Sequence, residues 1–231
     1  MRFLTLLHKE LRECLPWMLL AMIILFAIGG FSLRAQVHYG YYDFHHRYFS
    51  PGSSIEPFYL THSSPLAPIG PLLFVIPIGL GLVLGLRQFW IPNFTKTWPF
   101  LLHRSTNRKN ILAAKLIASL IAFIISTGFI WIVFYWYASR PELFILPQTL
   151  RVLIHGWIFI ILGFVTYLGT ALSGLSTARW YTTKIFGLAF ATIAIITTIS
   201  QWSLAIAFIV IIISAIILLI QIFVSFQNRE F

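Results

Sequence analysis

Carboxylates are the scarce side chains here, with 6 Asp and Glu against 16 Lys and Arg in 231 residues. Glu10, Glu13 and Glu230 lie near the ends of the chain, and Asp43, Glu56 and Glu142 lie in connecting segments, so no acidic group is expected in the middle of an apolar run. That placement argues against a proton- or sodium-coupled carrier with a titratable group at depth, and against catalysis by paired carboxylates. Cys14 is the single cysteine, which excludes an internal disulfide and a thiolate metal cluster. No G-x-x-x-x-G-K-[ST] occurs, so the chain has no P-loop of its own, and any ATP would be hydrolysed by a partner. No G-x-S-x-G occurs either. His155 stands about 18 residues, or roughly 27 Å, from Ser173 along one helix, too far for a serine–histidine pair. No catalytic residue and no metal ligand set is assigned.

What the chain has in abundance is apolar sequence. Hydrophobic residues make up 59% of it, in runs too long for a water-soluble core. A bilayer core about 30 Å thick takes roughly 20 helical residues. Spans are expected at about residues 15–33, 68–90, 112–137, 152–175, 183–200 and 203–225. The fifth is the least secure: it is short, and only "SQWS" separates it from the sixth, so the pair could be a hairpin that does not fully cross. The first run lacks a small-residue cleavage pattern and is expected to be kept as a span. The expected fold is an all-α integral membrane protein forming a single transmembrane domain over residues 1–231.

Six spans put 12 of the 16 Lys and Arg on the side of both termini, Arg2, Lys9, Arg12, Arg87, Lys96, Arg104, Arg108, Lys109, Lys115, Arg179, Lys184 and Arg229, leaving Arg34, Arg47, Arg140 and Arg151 opposite. The positive-inside bias makes that side cytoplasmic, in a multi-pass cell-membrane protein of bacterial cytoplasmic type. Anionic headgroups and topology account for the net charge of +10, so no nucleic-acid partner is expected.

Residues 1–14, "MRFLTLLHKELREC", place Phe3, Leu4, Leu7, Leu11 and Cys14 at helical spacing, with Lys9, Glu10, Arg12 and Glu13 largely opposite. This suits an interfacial helix lying flat on the cytoplasmic leaflet, with a break at Pro16, or a simple extension of the first span. An outer loop at 34–67 holds His38, His45, His46 and His62, which read as solvated loop histidines because adjacent His45 and His46 diverge on any regular element. The second span carries Pro68, Pro71 and Pro77 with Gly70, Gly79, Gly81 and Gly85, marking kinks or close packing. The fourth carries Gly156, Gly163, Gly169, Ala171 and Gly174, which let helices approach closely.

The cations cluster most densely in "TKTWPFLLHRSTNRKNILAAK", residues 95–115. Trp98, Leu101 and Leu102 at spacings of three and four, with Phe100 and His103 beside them, read as a short amphipathic helix before a basic turn. Such a helix fits either a groove on a soluble partner or the headgroup region. The order of an N-terminal flat helix, six spans with both ends inside, and "KTWPFLLHRSTNRKNILAAKLIA" leading into the third span resembles the membrane subunit of type-2 ATP-binding-cassette exporters. Thr97, Leu101, Leu102, Arg108, Ile111, Leu112 and Lys115 match that family's pattern of Thr, Leu-Leu, Arg, Ile-Leu and Lys. Lys96 stands where the family often has Glu, and "RSTNR" at 104–108 lacks the usual proline.

The resemblance implies that the cytoplasmic segment at 95–110 is a coupling helix docking on a cytoplasmic cassette ATPase through Thr97, Trp98, Phe100, Leu101, Leu102, Arg104 and Arg108. It also implies a second permease copy or a homologous permease, ATP and Mg bound only in the partner, and lipid around the bundle. Export of a hydrophobic or amphipathic substrate is the function it implies. A membrane anchor or regulatory subunit without transport is the alternative from another class; an intramembrane enzyme using outer-face histidines is the third.

Overall fold

The computed structural model describes residues 2–49, 66, 69–95, 108–140, 148–176, 185–201 and 203–227, with the side chains of the first helix described from 3 to 35. No strand occurs among them. Among these described residues eight α-helical segments follow one another: α1 Arg2–Phe49, α2 Gly70–Gly85, α3 Ile91–Phe94, α4 Arg108–Phe123, α5 Phe129–Ala138, α6 Leu150–Leu175, α7 Phe186–Ile199 and α8 Leu204–Gln227. Single wide π-helical turns, Leu86–Trp90 and Ile124–Gly128, join α2 to α3 and α4 to α5, making two long rods.

Five of the described rods are long and apolar enough to cross a bilayer: Phe3–Ala35, Gly70–Phe94, Arg108–Ala138, Leu150–Leu175 and Leu204–Gln227. α7, with 14 residues, is about 21 Å long at about 1.5 Å per residue, short of the roughly 30 Å hydrocarbon layer. This is the segment whose crossing the sequence leaves open.

The outward faces carry the membrane argument. α8 turns Ala207, Ile211, Ser214, Leu218, Ile222 and Phe226 inward at helical spacing, while Ile209, Ile212, Ile213, Ile216 and Ile220 on the other face are exposed. A helix bordering water would carry polar residues there; isoleucine on both faces requires an apolar surround. The chain is a multi-pass membrane protein.

Contacts between rods fix their directions. Glu10 meets Lys115 and Gly29 meets Phe134, so α1 runs parallel to the α4–α5 rod. Phe74 meets Phe159, Gly81 meets Gly163 and Trp90 meets Thr170, so α2 and α6 are parallel. Phe123 packs on Phe164 while Trp131 reaches Leu153, which makes α4–α5 and α6 antiparallel. The Leu188 amide donates to Ser173 Oγ while Gly169, a turn earlier on α6, meets Ala191 further along α7, reversing α7 against α6. Lys109 lies over the Phe223 ring, bringing the end of α8 to the start of α4. One end of the bundle, here the basal end, therefore gathers the start of α1, α3, the starts of α4 and α7, and the ends of α6 and α8.

Residues 2–14 follow the second of the two readings, a simple extension of the first span, and not the flat helix. α1 is a continuous helix through Pro16 and does not break before the span. A single inward stripe, Glu10, Cys14, Ala21, Leu25, Gly29 and Leu33, continues across the proline, whose ring faces outward. Residues 2–14 are thus part of the same rod, not a separate helix lying flat, because their inner face is fastened to the bundle. The helix also continues beyond residue 33 to Phe49, through the first part of what reads as an outer loop. Apart from Leu66, the remainder of that loop, including His62, lies outside the described residues, as do the side chains of His38, His45 and His46.

Candidate functional site

The helix ends at the base place five polar side chains inside the bundle. On α1, Glu10 and Cys14 are one turn apart on the inner stripe; on α4, Lys115 stands two turns in from Arg108. The π-turn at Leu86–Trp90 adds backbone between α2 and α3, so consecutive residues Gln88 and Phe89 are both buried. α6 supplies Tyr167, fully buried.

Lys115 Nζ donates to Glu10 Oε1 at 2.9 Å, with Glu10 only 7% and Lys115 4% exposed. Gln88 Nε2 donates to Cys14 Sγ at 3.3 Å, and the Tyr167 hydroxyl donates to Gln88 Oε1 at 2.6 Å. That hydroxyl also lies 3.4 Å from the Lys115 carbonyl, which in addition accepts from Ser119 Oγ at 3.1 Å. The network therefore joins α1, the π-turn, α4 and α6 largely through side chains. Burying two ions costs several kcal/mol each, and only a close pair with further hydrogen bonds offsets it. Glu10 Oε2 is buried without a hydrogen-bonding partner among the described residues. An orphaned polar atom of this kind costs about 1–3 kcal/mol.

Next to this network the α2–α3 rod is tied to the end of α6. Trp90 Nε1 donates to the Thr170 carbonyl at 3.1 Å, and Asn93 Nδ2 to the Gly174 carbonyl at 3.2 Å. Gly174 is within the last turn of α6, where carbonyls lack an in-helix donor. Glycines make the approach possible: a methyl at Gly81 would fall on the Gly163 carbonyl, and one at Gly174 on the Trp90 indole.

The sequence reading treats Glu10 as a cytoplasmic-side surface group and Lys115 as one of the topology cations. Both are buried, the carboxylate toward the basal end of α1. The available signal was spacing: Glu10, Cys14 and Trp17 fall on one helix face, and Lys115 sits within "ILAAKLIA". Its partner was invisible because it lies 105 residues away.

Of the expected docking residues, Thr97, Trp98, Phe100, Leu101, Leu102 and Arg104 lie outside the described residues, while Arg108 is the exposed first residue of α4. In sequence, residues 96–107 separate α3 from α4, whose facing ends are both basal. His155 and Ser173 stay apart, as their spacing requires. His155 Nδ1 lies 2.7 Å from the Arg151 carbonyl, and Ser173 Oγ accepts from the Leu188 amide at 3.0 Å.

Comparison with family models, with curated proteins and with solved structures gives no match for this chain.

Proposed function

We propose that this chain is the permease subunit of an ATP-binding-cassette exporter of the type-2 class, moving a hydrophobic or amphipathic substrate with energy from a separate ATPase that binds ATP and Mg. The basal end would face the cytoplasm of a bacterial cell, and a second copy or a homologous permease would complete the pathway. The observation that carries the reading is how the two rods flanking residues 96–107 are held. α3 is bonded to the end of α6, and α4 is bonded through Lys115 to α1 and through its carbonyl to Tyr167. A push on that segment by a docked ATPase would reach four rods through short, directed contacts instead of dissipating in a loosely attached loop.

The test is purification of the tagged chain from its own membrane in mild detergent, with mass spectrometry of what stays bound. A P-loop ATPase at near-equal stoichiometry, lost when Phe100→Asp and Leu101→Asp are introduced, is the expected result. Repeated absence of any ATPase sinks the transporter reading and leaves a membrane anchor or regulatory subunit.

A further inference from the structure

One side of α1 carries two enclosed polar atoms of opposite hydrogen-bonding sense, one on the inner stripe and the other on half-buried Trp17. Glu10 Oε2 can only accept and Trp17 Nε1 can only donate, and neither has a partner among the described residues. Residues seven apart lie on the same face two turns along, so both atoms belong to one side of α1, with fully buried Cys14 between them. The two Cα atoms are about 10 Å apart along the axis, a gap that the two side chains and a short run of water can bridge.

The pairing of the two atoms selects the ligand. A cation would satisfy the carboxylate oxygen but would meet the Lys115 ammonium, 2.9 Å from the other oxygen, and an indole N–H that repels it. An anion would satisfy the indole but would face the Glu10 carboxylate. Only a small neutral group that donates and accepts at once serves both, and buried polar sites are ordinarily completed by water in this way.

We propose that this face of α1 is an internal water-binding site, in which water accepts from Trp17 Nε1, donates to Glu10 Oε2 and hydrates the Glu10–Lys115 pair within the bundle. The site is independent of the permease reading. It supplies the hydrogen-bonding partner that Glu10 Oε2 lacks beside its contact with Lys115.

Pulsed hydroxyl-radical footprinting of the full-length protein in lipid nanodiscs, in heavy-oxygen water, tests this directly. Trp131 is the internal control: it is 2% exposed, and its indole N–H donates to the Leu153 carbonyl at 3.0 Å, so it needs no water. Trp17 is expected to take up solvent-derived oxygen several-fold more than Trp131. Labelling of Trp17 as weak as that of Trp131 overturns the proposal without any variant being made. In the double variant Glu10→Leu with Lys115→Met, checked for an unchanged monodisperse profile, Trp17 labelling is expected to fall several-fold below its level in the unaltered chain. Undiminished labelling in that variant would mean that Glu10 holds no water, and would equally overturn it.

Discussion

At the scale of single residues, the pair Glu10–Lys115 is the most consequential contact, since removing one partner strands a charge in an apolar surround. Lys115→Met or Glu10→Leu alone is expected to destabilise the folded protein by about 3–5 kcal/mol, the range for breaking a buried ion pair. The double change should recover most of that loss, because it removes both desolvation penalties together with the attraction. Denaturant titration in a fixed detergent measures all three, and equal losses in the single and double variants would disprove the coupling. Tyr167→Phe should have a smaller effect, about 0.5–1.5 kcal/mol for one hydrogen bond, with part of the loss arising because Gln88 Oε1 is left without its donor.

At the scale of elements, the α2–α6 contact depends on backbone lying against backbone. Gly81 and Gly163 approach so closely that an added methyl has no flexible side chain to displace, whereas a methyl on Gly79, about half a turn away, would meet nothing within 4 Å. Gly81→Ala is therefore expected to cost about 1–3 kcal/mol through overpacking. Gly79→Ala should be neutral or should gain up to about 1 kcal/mol from helix propensity. Comparing the two midpoints under identical conditions isolates packing from the intrinsic glycine-to-alanine preference. The π-turn at Leu86–Trp90 is the other device at this scale. It lets Gln88 and Phe89 both point inward while Trp90 and Asn93 still reach the end of α6.

At the scale of the whole molecule, the alternating directions of the rods predict which ends share a side of the membrane. With Cys14 changed to Ala, single cysteines introduced at Thr95 and Ser176 should react with a membrane-impermeant maleimide from one face, and one at Ser139 from the other. Labelling of Ser176 and Ser139 positions from the same face would contradict the bundle. In the unaltered chain, fully buried Cys14 should resist the reagent until the protein is unfolded in strong detergent.

Sequence alone determined the membrane class, the all-helical architecture and the approximate positions of the apolar rods, because a bilayer imposes length and composition on each segment separately. It also determined that α7 would be the doubtful crossing, since length is a local property. The glycines of α2 and α6 were legible as sites of close approach, but not their partners. Only the tertiary structure decided that Glu10 and Lys115 are buried, that Pro16 leaves α1 unbroken, and that Gln88 and Tyr167 join the same cluster. The physical reason is that burial of a charge depends on a counter-charge supplied by a different helix. A glutamate and a lysine on separate segments each read as surface groups until parallel packing of α1 against α4 brings them to hydrogen-bonding distance.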